Sequence, residues 1–154
     1  MAKPRRSRSQ RRVREAAPAG YPEESPPGLT GILYDSDVII EILRGRGSVV
    51  ATARDLEAAG VATFCTAISW AEVFAGARPG EEPLTQAFFR GREEIVLDSR
   101  VGRQAGGYLA RYARSHGLEL GDALIAAAAS TAGVRLWTLN RKHYPMPDLR
   151  FFDG

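Results

Sequence analysis

From Gly31 onward, short apolar runs alternate with longer stretches whose apolar residues recur every third or fourth position. Short runs of that kind predict strands, and the longer period predicts helices. "GILY" (31–34) reads as a buried strand, and the helical pattern Val38–Leu43 follows it and stops at Gly45. "SVVATARDLEAAG" (48–60) reads as an amphipathic helix with Ser48 as N-cap and Gly60 as C-cap. "VATFCT" (61–66) is a second strand, "SWAEVFAGAR" (69–78) a helix, and "PGEEP" (79–83) a loop. "LTQAFFRG" (84–91) is a short helix, "EIVLD" (94–98) a third strand, and 99–117 a long helix ending at glycine. "DALIAAAASTAG" (122–133) is a helix filled with alanine, "VRLWTL" (134–139) a strand, and "LRFF" (149–152) a candidate last strand.

Strands that alternate with helices pair in parallel through right-handed crossovers. The fold class expected is therefore α/β, a three-layer α/β/α domain around a central, mainly parallel sheet. Ligands of such sheets collect outside the carboxyl ends of the strands.

Composition changes this picture at one place. The net charge of +3 and the pI above nine would normally point to nucleic acid. Residues 1–30 hold seven basic groups against three acids, whereas 31–154 hold 14 basic and 15 acidic. The excess therefore belongs to a Pro- and Arg-rich extension that cannot bury a core and is expected to be disordered. A nearly neutral domain of 31–154 follows it. No apolar run is long enough for a signal-peptide core or a membrane span. The single cysteine, Cys65, excludes an internal disulfide and, with two histidines, disfavours a thiol-bound zinc. A reducing, cytoplasmic setting is expected.

Three acids stand out by position. Asp35 follows the first strand, Glu72 lies in the first turn of the helix after the second, and Asp122 opens the alanine helix. Their neighbours are mostly apolar or small, and an ionised carboxylate there is costly unless paired. No recurring Lys or Arg stands beside all three. Mg²⁺ or Mn²⁺ would neutralise them, since either takes oxygen ligands, retains waters and needs only a couple of carboxylates. That arrangement suits hydrolysis of a phosphodiester. Each acid also has a local reading. Asp35 and Asp37 fit a turn and an N-cap, Ser69 and Glu72 fit a capping box, and Asp122 fits an N-cap. The shared strand-end placement favours a joint site.

"LYDSDVIIEILRG", "TAISWAEVFAGA", "LELGDALIAAAA" and "LWTLNRKHYP" resemble, in order, the four motif blocks of the PIN domain. They are similar in particular to the VapC toxins of bacterial VapBC toxin–antitoxin pairs. The resemblance implies a metal-dependent endoribonuclease that uses Mg²⁺ or Mn²⁺ and acts on RNA. It also implies a homodimer and a cognate VapB-like antitoxin that lays a peptide, with an arginine, across the acidic groove. Asp35, Glu72 and Asp122 fall on the family's acidic metal positions, and Asn140 on a fourth position that offers a carbonyl oxygen. Asp37 stands where the family usually has Asn. His143 stands where an acid is frequent and cannot replace a carboxylate for Mg²⁺, so one firmly held ion is expected. Ser36 and Thr138 fit plain turn and strand roles as well as contact with substrate, and Arg44 reads as a solvated helix end rather than a phosphate contact. Trp70, Phe74, Phe88, Phe89, Tyr108 and Tyr112 read as core or interface.

Two other classes fit parts of the chain. "ILYDSDV" resembles the nucleophile block of haloacid-dehalogenase-type phosphatases, with Asp35 as nucleophile and Asp37 as acid/base. A PIN-like module that binds RNA or a partner without cutting is the third reading.

Overall fold

The structure is a computed structural model and describes residues 30–154. The expected disordered extension over 1–30 lies, but for Thr30, outside them. Four strands form one parallel sheet in the order β3-β2-β1-β4: β1 is Ile32–Tyr34, β2 Thr63–Cys65, β3 Glu93–Glu94 and β4 Arg135–Trp137. Ile32, Leu33 and Tyr34 are fully buried, which is why the central strand has no polar alternation. Leu33 stands opposite Phe64 on one side and Leu136 on the other. Gly31 begins the strand because a Cβ there would lie 2.4 Å from the Ala62 carbonyl oxygen.

Helices α1 (Ser36–Leu43), α2 (Gly47–Ala58), α3 (Ala67–Ala75) and α4 (Glu82–Arg90) connect the first three strands. Helices α5 (Ser99–His116) and α6 (Leu120–Ala132) form an antiparallel hairpin before β4. Two cores result, one on each face of the sheet. One joins α1, α2, α3 and α4 to Ile32 and Tyr34; the other joins α5 and α6 to Leu33 and Leu136. The three-layer α/β/α arrangement is thus as expected. Trp70, Phe74 and Phe89 stack in the first core, with Trp70 and Phe89 centroids 4.3 Å apart. Among the described residues no helix is long and apolar enough to cross a membrane.

Several boundaries differ from the sequence reading. Helix α2 starts at Gly47 without a side-chain cap, so Ser48 is not its N-cap; Gly60 stands one residue past the end, at a φ of 68°. Helix α3 starts two residues early, because Thr66 caps it by accepting from the Ser69 N–H. The third strand stops at Glu94: Ile95 still donates to the Cys65 carbonyl, but the chain then turns toward Asp98, the N-cap of α5. Phe151 makes only an isolated parallel bridge to Leu136, so the last strand is reduced to a single contact.

Candidate functional site

The order in which strands are added across the sheet reverses at β1. The crossovers after it move outward through β2 and β3, and β4 then returns to its other side. A crevice opens at such a switch point, at the carboxyl ends of the strands. Asp35 sits there. Its main-chain N–H continues the ladder by donating to the Trp137 carbonyl at 2.9 Å. Its side chain caps α1, with Oδ1 accepting from the Ser36 N–H at 2.7 Å. Its Oδ2 accepts from the Tyr144 hydroxyl at 2.7 Å. Asp35 therefore both caps a helix and presents a buried carboxylate.

The other acids come to it from separate elements. The Ser36 hydroxyl donates to Glu72 Oε2, which ties α3 to the start of α1. Glu72 lies in the second turn of α3 and not the first, so the Ser69–Glu72 capping box does not form. Its Oε1 approaches Gly121, where an added Cβ would stand 2.8 Å away. Gly121 thus leaves room for Glu72 against α6. Asp122 lies within the first turn of α6; the N-cap is Glu119, without a side-chain bond, so Asp122 does not cap this helix.

The electrostatics match this convergence. Burial pushes the Asp35 carboxyl above its ordinary range, against the opposing hydrogen bond from Tyr144. Burial likewise raises Asp122, and the charges of Asp35 and Glu72 raise it further while His143 opposes them. The Tyr144 phenol is raised by burial and by Asp35, so it stays protonated and donates. His143 Nδ1 stands 3.7 Å from Asp122 Oδ2 and is the basic group that faces the cluster.

Asp37 faces another way. Its Oδ2 accepts from the Leu139 N–H at 3.0 Å and from the Thr138 hydroxyl at 3.3 Å, pinning the exit of β4 to α1. Its Oδ1 is buried without a hydrogen-bond partner among the described residues. Burial, then the Asp35 charge, raises its carboxyl to about 6. Thr138 in turn accepts from the Asn140 N–H. The Asn140 side-chain amide lies 3.1 Å from His143 Nδ1, so the two residues form one rim beside Asp122. Arg44 ends α1 beside Glu41 and lies away from the acids.

Tyr144 and Gly121 are the site residues that sequence reasoning missed. Tyr144 stands inside the fourth block, next to His143, and is 4% exposed, with its partner 109 positions away.

Oxygen donors dominate the cluster, as a hard divalent cation requires. Among the described residues no three His, Cys, Asp or Glu side chains form a ready group for a metal ion. The donor set fits Mg²⁺ or Mn²⁺ in the mode those ions favour, one or two carboxylates with the remaining positions filled by water. The closeness of the Asp35 and Asp122 carboxylates, each raised above its ordinary range by burial and Asp122 further by the charge of Asp35, is the observation behind that fit.

Comparison with known proteins adds the following. The family model described as PIN domain matches residues 32–148. Ribonuclease VapC10 of Mycobacterium tuberculosis is 36% identical over 120 residues, covering 75% of this chain and 86% of the relative. Ribonuclease VapC19 of the same species is 31% identical, covering 77% and 96%. The crystal structure of DNA-bound VapBC from Salmonella typhimurium superposes with a TM-score of 0.69 at 18% identity, covering 81% and 98%.

Proposed function

The chain belongs to the PIN domain family, and from that membership we propose that it is a metal-dependent endoribonuclease, the toxin of a type II toxin–antitoxin pair. The observation that carries the reading is the meeting of Asp35, the N-cap of α1, with Glu72 of α3 and Asp122 of α6 at one strand end, close enough that the charges of Asp35 and Glu72 raise the Asp122 carboxyl. Both curated relatives are ribonucleases by name, and the Salmonella structure is of a DNA-bound VapBC. A VapB-like antitoxin and a second copy of the chain are the partners, and exposed Leu84, Val96 and Leu120 supply apolar surface for such contacts. Buried Cys65, the single thiol, suits a reducing cytoplasm.

Asp35 and Asp122 would hold the cation, with Glu72 beside them and water filling the remaining positions. When bound, Mg²⁺ or Mn²⁺ stabilises charge on the phosphate and makes a water acidic near neutral pH. Tyr144 fixes the Asp35 carboxylate by donating to Oδ2. Ser36 engages Glu72 Oε2 and so orients that carboxylate within the site. Asn140 steadies the His143 ring against Asp122, and its amide is the rim group available to a phosphate oxygen.

The test is incubation of RNA with wild type and Asp35→Asn, with Mg²⁺, with Mn²⁺ and with chelator. Cleavage by wild type alone, and only with a cation, is expected. Equal cleavage by both proteins removes the site assignment, and no cleavage by wild type favours the non-cutting module. The phosphatase alternative lacks support, since Asp37 is bonded to Thr138 and Leu139 and the family is a different one.

Gly121→Ala separates geometry from stability. Alanine is the better helix former by about 1 kcal/mol. Its methyl group would displace Glu72 Oε1. A thermal midpoint equal to or above wild type is expected, together with a loss of cleavage of roughly 10-fold or more. Melting curves and initial cleavage rates check both.

A further inference from the structure

Helix α5 carries four arginines, Arg100, Arg103, Arg111 and Arg114, and neither Asp nor Glu between Ser99 and His116. The remainder of 31–154 holds 10 basic and 15 acidic residues, so the positive charge is segregated onto this one element. Solvated helix faces ordinarily mix both signs. At 100° per residue the four arginines fall within a sector of about 80°, centred on Gly107. Buried Val101, Ala105 and Tyr108 occupy a different side of the helix, and all four arginines are exposed.

Local helix physics does not ask for this pattern. The helix dipole favours Arg114 in the last turn but disfavours Arg100 in the first. Arginines three apart, at 100 and 103 and at 111 and 114, repel each other. Asp98 pairs with Arg100, at 3.2 Å.

The placement of the stripe points to its use. Arg100 lines a surface cleft with Thr131 and Ala132, at the end of α6 far from Asp122. The α5–α6 hairpin then brings the Arg111–Arg114 end toward the first turn of α6, where Asp122 lies. The side of α5 next to the stripe is clamped to the segment after Tyr144, because Gln104 and Tyr108 both donate to Asp148. The stripe runs about 21 Å along the helix axis, and its Arg111–Arg114 end is the one that leads into α6.

We propose that this arginine stripe of α5 is the docking track for the phosphate backbone of single-stranded RNA, one end of which lies at Asp35, Glu72 and Asp122. The assignment rests on the ribonuclease reading and adds to it the surface that holds the substrate. Acids at the cutting point repel RNA, so affinity has to come from a neighbouring basic surface, and α5 is where the domain concentrates its charge.

The experiment compares wild type, the triple variant Arg100→Gln/Arg111→Gln/Arg114→Gln, the matching Arg→Lys triple, and a control triple Arg44→Gln/Arg78→Gln/Arg90→Gln, all as full chains. Binding of a labelled single-stranded RNA of about 16 nucleotides is followed by anisotropy in chelator, from low to high salt. The α5 glutamine triple should bind about 10-fold more weakly at low salt, with a log–log salt slope shallower by about 2. The lysine triple and the control triple should stay within about twofold of wild type, which also separates lost charge from lost folding. Wild type that binds and cuts RNA, with an unchanged α5 glutamine triple, overturns the track alone. Wild type that neither binds nor cuts RNA overturns the ribonuclease reading and the track with it. Loss of antitoxin binding with RNA binding intact assigns the stripe to an acidic protein surface and overturns the proposal.

Discussion

Asp122→Asn is expected to abolish RNA cleavage and, at pH 7 without divalent cation, to raise the thermal midpoint. Both effects have one source. Asp122 is held among like charges, with its carboxyl raised by burial, by Asp35 and by Glu72. Asparagine keeps the shape, removes the repulsion and removes the ligand charge. Its place in the first turn of α6 brings some favourable dipole energy, which the substitution gives up, but Asp122 is not the cap of that helix. The net gain expected is on the order of 1 kcal/mol, a rise of a few degrees for a domain of this size. The loss in cleavage should be about 100-fold at least, since the charge that holds the cation is gone. Melting scans in chelator, paired with cleavage rates in Mn²⁺, check it. A variant that is both less stable and still active would contradict the description of the cluster.

The second large effect is a stability that falls as pH rises. Asp35, Asp37 and Asp122 all have folded-state values above the ordinary carboxylate range, with Asp37 moved from 3.8 to about 6. Between those limits the folded chain keeps protons that the unfolded chain has lost, so unfolding becomes easier with each step in pH. The stabilising contribution is fully present at about pH 4 and below, and it is gone above about pH 6–7. Asp98 and Asp148 are held low by their hydrogen bonds and act oppositely, but only below the ordinary carboxylate range. For Asp37 alone the change is on the order of 1–2 kcal/mol after solvent screening. Midpoints taken from pH 5 to 7.5 in chelator should therefore decline, and Mn²⁺ should flatten the decline by binding the ionised acids. A midpoint that climbs over this range, or one indifferent to Mn²⁺, would count against both the raised carboxylates and the cation.

Position in the chain made the acids legible, and hydrogen bonding made the rest illegible. Asp35, Glu72 and Asp122 follow from strand ends and from motif blocks, and those cues survive errors in helix boundaries. The boundaries themselves moved because several residues compete for each cap. Thr66 captured α3 from Ser69, and α2 began at Gly47 with no side-chain cap at all. The third strand was read too long because "IVL" is apolar, whereas only Glu93 and Glu94 pair with β2, at the sheet edge. Asp37 read as local turn chemistry, yet its partners, Thr138 and Leu139, lie about a hundred residues later. Tyr144 gave no local signal beyond being aromatic. Its hydroxyl matters through one long-range bond to Asp35, a relation no periodicity encodes.

Helix α6 holds Ala126, Ala127, Ala128 and Ala129 fully buried between the α5 layer and the sheet. A rib built of methyl groups has no rotamers with which to absorb a neighbour's change. The spacing between the strand tip at Asp35 and the helix start at Asp122 is consequently set by main chain lying on main chain, like the jaws of a clamp closed on a shim. One added carbon at any of these alanines would widen that gap and carry its penalty to the acids at the far end.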